Sequence, residues 1–404
     1  MLRGFYFCTM NIILFDDPLV RGQLLPLTYT RPVADVRVGI LTIAGKWKVR
    51  LSADVSFGTQ PYLEKKFPRN TTSDNYWING AICPDETFIS VLRVLKPNDA
   101  IEKNGRIVAV RTADDEVPEV IVGTVHPYTP ELTIIDQPWK IFHQNGAQIR
   151  LDFEVITKGR SSHPMTDKAT VVYNEANVFI EEGVTLKAAI LNAEGGPIYL
   201  GKNSQVQEGA ILRGPFCLGE RSIINMGGKM RGDTTIGPDC KMGGEVANSV
   251  VFGYSNKAHD GYLGNSVLGE WCNLGADTNT SNMKNTYDVV KLWNSAKKEY
   301  VNTGLYFCGL IMGDHSKSGI NTMFNTGSVV GVNSNVLNTG GYPPNFIPSF
   351  SWAGENTYDI EKAIATAERA MSRRNQKFTD DDRAIIKEIF AMTSVDRKWE
   401  KNRS

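Results

Sequence analysis

Several features that mark common classes of protein are absent from this chain of 404 residues. The 6 cysteines include no C-x-x-C pair, which argues against a zinc ribbon, a redox motif or a disulfide framework and fits a reducing cytosol. Lysine and arginine total 44, as do aspartate and glutamate, so bulk charge favours neither a nucleic-acid nor a membrane-surface partner. No run of about 18 apolar residues exists, so no spanning helix is predicted. We therefore expect a cytoplasmic protein with small polar ligands.

The N-terminal segment MLRGFYFCTMNIILFDD also lacks the marks of a secretory signal. It has one basic residue, its apolar run is broken by Thr9 and Asn11, and no small-residue cleavage site follows. A signal peptide is not expected from this pattern. Translation could start at Met1 or at Met10, and in the second case residues 1–9 are a leader.

The chain is too long for one compact core, so two or three domains are expected. Residues 1–155 mix strand-like and helical patterns, which predicts an α/β, Rossmann-like domain. The strand-like runs are NIILFDD (11–17), YWINGAI (76–82), RIVAVRT (106–112) and EVIVGTV (119–125), whereas TFISVLRVLK (87–96) has helical spacing and WKIFHQNGAQIRLDF (139–153) is mixed.

A six-residue period replaces these patterns in residues 156–345. Neither an α-helix nor a strand has this period, so it indicates a left-handed parallel β-helix of hexapeptide repeats, in which each aliphatic residue points inward. The period breaks at 247–259 and at the polar segment 279–300, where we expect loops to leave the coil. The aliphatic positions are Ile180, Leu186, Leu200, Val206, Leu212, Leu218, Ile224, Met230, Ile236 and Met242, and later Met312, Phe324, Val330 and Val336, with Ser318 as an exception.

The last part of the chain, residues 346–404, is predicted to be a linker and a short helical tail. The linker is rich in Gly and Pro, and YDIEKAIATAERAMSRR (358–374) and DDDRAIIKEIFAM (380–392) both have helical spacing. Thr379 is the expected N-cap of the second helix, because acidic residues fill the turn that follows it. Arg373 and Arg374 end the first helix, where cations are favourable for dipole reasons alone, so binding of a ligand's phosphate there is the less favoured interpretation.

His259 stands at one of the breaks and is one of only 5 histidines. It has two interpretations: a solvated residue on a coil corner, or a general base that takes the proton of an amine attacking a thioester. Glu245, about one turn earlier, could hold its tautomer, and Tyr262, Asn273 and Asn282 follow on successive turns. The sequence has no H-x4-H pair, so a zinc site is not predicted.

The segment from Arg231 to Asn282 resembles a known family, the bifunctional glucosamine-1-phosphate N-acetyltransferase / N-acetylglucosamine-1-phosphate uridylyltransferases. The resemblance is carried by RGDTTIGPDCKMGGEV, KAHDGYLGNSV and CNLGADTNTSN, and blocks such as GPIYLGKNSQVQEGAILRGP extend it to a divergent bacterial branch. It implies that His259 is the general base, that Glu245 orients it, and that Arg231, Tyr262, Asn273 and Asn282 contact the sugar phosphate. Ala247 stands where the family has a lysine that contacts the phosphate, so the identity of the sugar phosphate stays open. Lys284 or Lys291 is the candidate to supply the missing contact.

The N-terminal domain resembles the nucleotidylyltransferase half of the same family with two departures. No G-x-G loop follows the first strand, and Ala81 replaces the aspartate that would hold Mg²⁺, a role that Asp16 or Asp17 could take. The block PLTYTRP instead offers cations for phosphate, although these could equally be surface charges. The candidate nucleotide-binding residues are Arg21, Thr28, Arg31 and Lys46.

The resemblance implies acetyl-CoA-dependent N-acetylation of an amino-sugar 1-phosphate, then nucleotidylyl transfer from a nucleoside triphosphate to give a product such as UDP-N-acetylglucosamine. It also implies a homotrimer that binds acetyl-CoA between neighbouring subunits, and His315, Ser316 and Lys317 are the candidate contacts. Alternatives remain: a monofunctional nucleotidylyltransferase, for example of the glucose-1-phosphate type, whose β-helix is structural or regulatory, or an acetyltransferase with an inert N-terminal domain.

Overall fold

The structure is a computed structural model that describes residues 10–337, 340–354 and 356–400. The proposed leader, residues 1–9, therefore lies outside the described residues. The chain forms two compact units, of which the first runs through Arg21 and adds Arg31–Asp35 and Thr42–Ile135, and the second comprises Gly22–Thr30, Val36–Leu41 and the chain from Asp136 onward. Among the described residues, no helix combines the length and apolar character that crossing a membrane requires.

A six-stranded mixed sheet forms the first unit, as the strand-like runs predict. Its first strand, Asn11–Phe15, is parallel to a neighbour on each side, and all five residues of the central strand Asn75–Asn79 are buried. The strands lie in the order Val55–Gly58, Asn11–Phe15, Asn75–Asn79, Arg106–Thr112, Ala100–Lys103 and Val125–Pro127. The helices up to this point in the chain are α1 (Pro18–Gln23), the 3₁₀ turn Val33–Asp35, α2 (Ile43–Leu51) and α3 (Glu86–Val94).

The prediction of a strand over EVIVGTV (119–125) is wrong. Val120 and Val122 are 75% and 90% exposed, and the strand of this region begins only at the last residue of the run. Its backbone bonds to neighbouring groups at separate points, because Gly123 N donates to Asn98 O at 3.1 Å, Thr124 N donates to the Asp99 carboxylate at 2.9 Å, and Ala100 N donates to Thr124 O at 2.9 Å. The alternating pattern predicted a strand over the whole run, but only its end pairs with a neighbouring strand.

The mixed segment 139–153 belongs to one long helix, α4 (Pro138–Thr157). Gly146 lies at a close approach, since a Cβ there would come 1.8 Å from Asp233 Oδ1. The neighbouring Asn145 donates to the backbone oxygen of Asp233 at 2.9 Å. Both contacts lie within the second unit, and they explain why a helix interior carries a glycine that costs it stability.

The second unit is a parallel β-solenoid with three sheets, which confirms the β-helix; its left-handedness stays a prediction. One strand from each sheet makes one coil, and each sheet pairs residue for residue with the next coil. The first face contains Val171–Tyr173, Ile190–Asn192, Ile211–Arg213, Lys229–Met230, Glu245–Ala247 and Tyr262–Gly264, continued by Asn279–Thr280 and Met323–Phe324. The second face contains Val178–Ile180, Ile198–Leu200, Phe216–Leu218, Thr234–Ile236, Val250–Gly253, Val267–Glu270, Leu310–Met312, Ser328–Val330 and Phe346–Ile347. The third face contains Thr185–Leu186, Gln205–Val206, Ile223–Ile224, Lys241–Met242 and Asn256–Lys257, then Lys317–Ser318, Asn335–Val336, Ser351–Trp352 and Asn356–Thr357. The 3₁₀ turn Glu175–Asn177 lies between the first two faces.

The hexad positions fill the interior of the coil, as predicted. Leu200 pairs in register with Leu218, and Leu218 pairs with Ile236, so an aliphatic side chain recurs at the same inward position every 18 residues, one coil apart. All three are fully buried. The interior slot of the third face is different at one coil, where Lys257 is in register with Met242 and is 1% exposed.

Only one of the two predicted breaks sends a loop out of the coil. The polar segment does so, because Lys291–Asn294 and Glu299–Asn302 form an antiparallel hairpin. The expectation for 247–259 is wrong, since interior positions continue through Val246, Val251 and Lys257. Two shorter corners change the spacing there and leave the coil intact.

The tail forms the two predicted helices, α5 (Ile360–Ser372) and α6 (Asp380–Met392), followed by the 3₁₀ turns Ser394–Asp396 and Lys398–Glu400. Thr379 is the N-cap of α6, and it forms a capping box with Asp382. Asp359 caps α5. Arg374 fixes the end of α5 to the β-helix, because it donates to Asp239 O at 2.9 Å and to Asn256 Oδ1 at 2.8 Å.

Gly237 gives a test of how tightly the coils stack. A Cβ at this position would lie 1.8 Å from the backbone oxygen of Phe252 on the next coil, and backbone cannot move aside as a side chain can. We expect Gly237→Ala to destabilise the β-helix by about 1–3 kcal/mol, the usual cost of overpacking. Gly341→Ala is the matched control, since a Cβ there meets nothing within 4 Å. Equal thermal midpoints for both variants would contradict the packing described above.

Candidate functional site

Four of the predicted site residues lie in one row of polar groups on the first face. Parallel register places Tyr262 directly beside Glu245. Arg231 Nη1 lies 3.1 Å from Glu245 Oε1, and Asn282 Nδ2 donates to Tyr262 Oη at 3.1 Å. The same Asn282 nitrogen also donates to Asn265 Oδ1 at 2.8 Å. The hexad spacing creates this row, because residues one coil apart are hydrogen-bonded neighbours.

The Tyr262 hydroxyl is set up as a donor. Burial raises the pKa of this phenol, Arg231 opposes the rise, and the Glu245 carboxylate adds to it. The proton therefore stays on the oxygen across the ordinary pH range. Because Asn282 already donates to that oxygen, the hydroxyl hydrogen is available for an acceptor such as a sugar oxygen.

His259 lies on the exposed bend that joins the third face to the first. The bend is tied from inside the coil by Lys257, whose Nζ donates to the backbone oxygens of His259 at 2.8 Å, Asp260 at 3.2 Å and Gly243 at 3.3 Å. Glu245 N also donates to the oxygen of Gly261, in the same bend, at 3.1 Å. The imidazole is therefore presented to solvent from a backbone held by a buried cation.

The side chains of Glu245 and His259 are not joined. Within the described residues, the Glu245 carboxylate bonds to Arg231, and no hydrogen bond or ion pair connects it to the imidazole. In this arrangement Glu245 positions Arg231, which can face a phosphate. Its predicted role as the group that orients His259 remains a prediction.

The third face and helix α5 enclose a cleft of about 910 Å³ beside His259. Asn273 and Lys317, two more of the predicted residues, line it. Tyr254 and Trp271 also line it, with their rings stacked at 4.2 Å between centroids. His259 thus lies between this cleft and the polar row of the first face.

The three predicted acetyl-CoA residues have different environments. Lys317 lines the cleft, and its Nζ donates to His315 O at 2.8 Å; burial lowers the pKa of this lysine. His315 is 8% exposed, and its ring is stacked on Trp271 at 6.1 Å. Ser316 is fully buried and bonds the backbone of Gly331. Of the three, Lys317 is the one with an ammonium group beside an open volume.

Lys284, the candidate replacement for the family's lysine, is half-buried in the insertion that leaves the coil. Its Nζ donates to the backbone oxygen of Val289 at 3.0 Å. In this arrangement the ammonium group stabilises its own loop.

The candidate nucleotide-binding residues divide between the two units. Arg21, Arg31 and Lys46 belong to the first unit and Thr28 to the second. All four are buried, with Lys46 only 1% exposed. Arg21 lies 3.4 Å from Asp16, and Arg31 lies 3.2 Å from Asp35. The three cations are thus integrated into the packing of the first unit.

The carboxylates proposed for Mg²⁺ do not fit a metal site as arranged. Asp16 accepts from Val33 N at 2.7 Å and Thr59 Oγ1 at 2.6 Å, besides its contact with Arg21, and burial raises its pKa. Asp17 Oδ1 accepts from Leu19 N at 2.9 Å at the start of α1. Among the described residues, no cluster of three His, Cys, Asp or Glu side chains is placed to hold a metal ion.

Sequence reasoning missed Lys241 and Arg369, and it favoured a dipole role for Arg373 over contact with a coenzyme A phosphate. All three line the cleft beside His259. Their signal was present, because Arg369 and Arg373 are four residues apart and so share one face of a helix. What the sequence did not show was which surface that face would meet.

The first comparison with known proteins concerns the N-terminal part. Residues 12–161 match the family model described as "Sugar nucleotidyl transferase". This match covers the whole mixed sheet and confirms the predicted resemblance to nucleotidyltransferases.

Curated relatives include two proteins named "Bifunctional protein GlmU". That of Methanococcus aeolicus is 34% identical over 90 residues, which is 22% of this chain and 21% of the relative. That of Trichodesmium erythraeum is 35% identical over 94 residues, or 23% and 16% respectively. The matched segments thus span about a fifth of the length of these relatives, and they confirm the predicted resemblance to the bifunctional family.

A solved structure, titled "Activity and Crystal Structure of Arabidopsis UDP-N-acetylglucosamine acyltransferase", is 15% identical and covers 53% of this chain and 80% of its own. Its TM-score is 0.23, so the likeness carries no argument.

The buried Lys257 predicts a pH dependence. Burial lowers the pKa of this lysine to about 8, so between about pH 8 and its unfolded value near 10.4 the unfolded chain binds the extra proton. The contribution of Lys257 to the free energy of unfolding is therefore smallest below pH 8, and it increases as the pH rises above 8. We expect the free energy of unfolding of the wild type, relative to that of Lys257→Met, to rise by about 2.5 kcal/mol between pH 7 and pH 10.

Denaturant unfolding of both proteins at both pH values measures this difference. Lys362→Met, at an exposed position of α5, is the control for the loss of a lysine outside the coil interior. A constant difference for Lys257→Met would contradict the burial of a cation inside the coil.

Proposed function

We propose, on the premise that this chain is related to both the sugar nucleotidyl transferases and the GlmU proteins, that it makes a nucleotide-activated N-acetyl sugar in two steps. In the first, the β-helix transfers the acetyl group of acetyl-CoA to the amine of an amino-sugar 1-phosphate. In the second, the N-terminal unit transfers a nucleotidyl group from a nucleoside triphosphate to the sugar phosphate. The supporting observation is His259, exposed on a tied bend between a polar row and a cationic cleft.

Acyl transfer requires a base and a fixed acceptor. The amine nitrogen attacks the thioester carbonyl, and His259 takes the amine proton. The bond between carbon and sulfur then breaks, and the imidazolium returns that proton to the departing thiolate, so coenzyme A leaves as its thiol. Arg231 faces the sugar phosphate, and the Tyr262 hydroxyl, fixed by Asn282, donates to a sugar oxygen. Asn273 contributes a polar contact from the cleft.

Nucleotidyl transfer is supported by the family match over residues 12–161. An oxygen of the sugar phosphate attacks the α-phosphorus of the triphosphate, and pyrophosphate leaves. Arg31 is the cation proposed to neutralise the charge of the phosphates, since the chain has no G-x-G loop to do so. Dependence on Mg²⁺ stays a prediction of the family resemblance.

A second candidate function, acetyl transfer with an inactive N-terminal unit, is favoured by two observations. Ala81 stands where the family has a metal-binding aspartate, and it is fully buried. Asp16, the alternative carboxylate, is occupied by hydrogen bonds from the protein. Under this candidate the sugar phosphate is acetylated and released without activation.

The proposal includes a homotrimer located in the cytoplasm. Five cysteines, Cys83, Cys217, Cys240, Cys272 and Cys308, are free and buried in the described part of the chain, which supports a reducing compartment. The trimer is proposed from the family resemblance alone.

His259→Ala tests the base. We expect kcat for acyl transfer to fall by about 10²–10⁴-fold, the usual effect of removing a positioned general base. The acidic limb of the pH profile should disappear, because only a neutral imidazole accepts the amine proton. Thiol release from acetyl-CoA is the measurement. Glu245→Gln should lower kcat by a smaller factor. His163→Ala, at an exposed histidine distant from His259 in the sequence, should leave kcat unchanged. Acyl transfer at the wild-type rate by His259→Ala would show that His259 is a solvated residue on a coil corner and not the base.

Arg31→Ala tests the second step. Pyrophosphate release should fall by at least about tenfold, since a charge-assisted contact to the transferred phosphate is lost, whereas thiol release should be unchanged. Because Arg31 is buried and paired with Asp35, Arg31→Lys serves as a variant that keeps the charge and the fold. If both variants release pyrophosphate at the wild-type rate, the assignment of PLTYTRP to phosphate binding is wrong.

A further inference from the structure

A cavity of about 500 Å³ lies at the end of the β-helix. Three segments that are distant in sequence enclose it: the hairpin of the polar insertion, the last coil, and the 3₁₀ turns that end the described chain. It shares no lining residue with the cleft beside His259. Its apolar walls are formed by Trp293, Phe346, Pro348, Val395 and Trp399.

Trp293 gives this cavity a hydrogen-bond donor that the fold does not use. Its ring is stacked on Phe346 at 4.5 Å between centroids and meets Tyr300 edge-on at 5.2 Å. The indole Nε1 is buried, yet it donates to no acceptor in the described part of the protein. A buried indole N–H ordinarily has a partner, and an unpaired buried donor costs about 1–3 kcal/mol. We therefore expect a ligand in the cavity to supply the acceptor.

A second indole borders the cavity in a fixed orientation. Trp399 Nε1 donates to Thr357 Oγ1 at 2.9 Å, and the residue is half-buried. The preceding turn is tied to the hairpin, because Lys298 Nζ lies 2.7 Å and 3.0 Å from the two carboxylate oxygens of Asp396. The hairpin and the tail thus hold both indoles in place, as the walls of ligand pockets usually are before binding.

Lys398 adds a positive charge at the same cavity. Lys298, the other lysine of the lining, is neutralised by Asp396. Lys398 is exposed, and within the described residues its ammonium group makes no ion pair or side-chain hydrogen bond. The cavity therefore offers flat apolar walls, a buried donor and an ammonium group. A ligand that uses all three has a planar ring, an acceptor on that ring and an anionic group.

We propose that this cavity binds a nucleoside phosphate. The base lies against the aromatic walls, a base carbonyl accepts from Trp293 Nε1, and the phosphate faces Lys398. Stacking of a base on an aromatic side chain contributes about 1–3 kcal/mol, and the contact between phosphate and ammonium is charge-assisted. An aliphatic chain would leave the donor unpaired, and a neutral sugar would leave the ammonium group without an anion.

The inference does not depend on the proposed function, since the lining contains none of the residues assigned to acyl or nucleotidyl transfer. The proposed reaction nevertheless contains two molecules of this chemical class, the nucleoside triphosphate and the nucleotide-activated sugar. Titrations with UTP and with UDP-N-acetylglucosamine distinguish these two sources, because the natural ligand of the cavity should bind more tightly.

Tryptophan fluorescence of the full chain tests the site, because a base stacked on an indole quenches its emission. The probes are uridine 5′-monophosphate, uridine, which keeps the base and lacks the phosphate, and inorganic phosphate. We expect saturable quenching by the first two probes and none by phosphate. The monophosphate should bind about tenfold more tightly than uridine, the effect of one charge-assisted contact.

Two variants separate the contacts of the base from those of the phosphate. Lys398→Gln should weaken binding of the monophosphate by about tenfold and leave binding of uridine unchanged. Trp293→Phe keeps an aromatic ring and removes the donor, so it should weaken binding of both ligands by about fivefold or more. Lys377→Gln, at an exposed position outside the cavity, is the matched control and should bind both ligands as the wild type does.

Three results would overturn the inference and leave the proposed function standing. The first is a wild type that shows no saturable quenching. The second is equal affinity of the monophosphate for the wild type and all three variants, which would place its binding elsewhere. The third is an equal loss of uridine and monophosphate binding in Lys398→Gln, which would show that the ammonium group does not contact the phosphate. Lys398→Gln changes an exposed side chain, so it keeps the test decisive even if Trp293→Phe lowers the thermal midpoint.

Discussion

The interior of the β-helix admits one inward side chain from each short strand, and this constraint places every other residue of the unit. Leu200, Leu218 and Ile236 occupy one column because parallel pairing repeats the backbone path every 18 residues. Residues beside such a column also recur in columns, on the outside of the coil. Glu245 and Tyr262 become neighbours in this way, and Arg231 joins them from the coil before. The candidate site is thus a consequence of the packing period.

Lys257 is the exception to the apolar interior, and it stands one coil from Met242 in the same column. A cation in this slot costs stability unless its charge is compensated. Here the compensation comes from three backbone oxygens, of Gly243, His259 and Asp260, so the same group that weakens the interior fixes the bend that carries His259. A site of this kind combines a cost in stability with a gain in local order, as functional sites commonly do.

Much of the architecture could be predicted from the sequence because it depends on local periods. The hexads identified the coil, Thr379 identified the start of α6, and the polar segment identified the place where a loop leaves the coil. The prediction of a strand over 119–125 failed because only the end of the run pairs with the strand Ala100–Lys103, and no local pattern reveals where such pairing begins. The expected loop at 247–259 failed because a change of spacing can equally shorten a corner. The cationic cleft was beyond prediction for a similar reason: it needs the long-range docking of α5, made by Arg374 on Asp239 and Asn256.

The central claim is that one chain carries an acyl-transfer site on its β-helix and a nucleotidyl-transfer site on its N-terminal unit. A single reaction containing glucosamine 1-phosphate, acetyl-CoA and UTP, with free thiol and pyrophosphate scored separately, tests it most directly. The account predicts that thiol appears first, that pyrophosphate follows, and that omitting acetyl-CoA abolishes both, whereas N-acetylglucosamine 1-phosphate restores pyrophosphate release alone. Release of pyrophosphate from glucosamine 1-phosphate itself, without any thiol, would contradict it and leave the β-helix without a catalytic role.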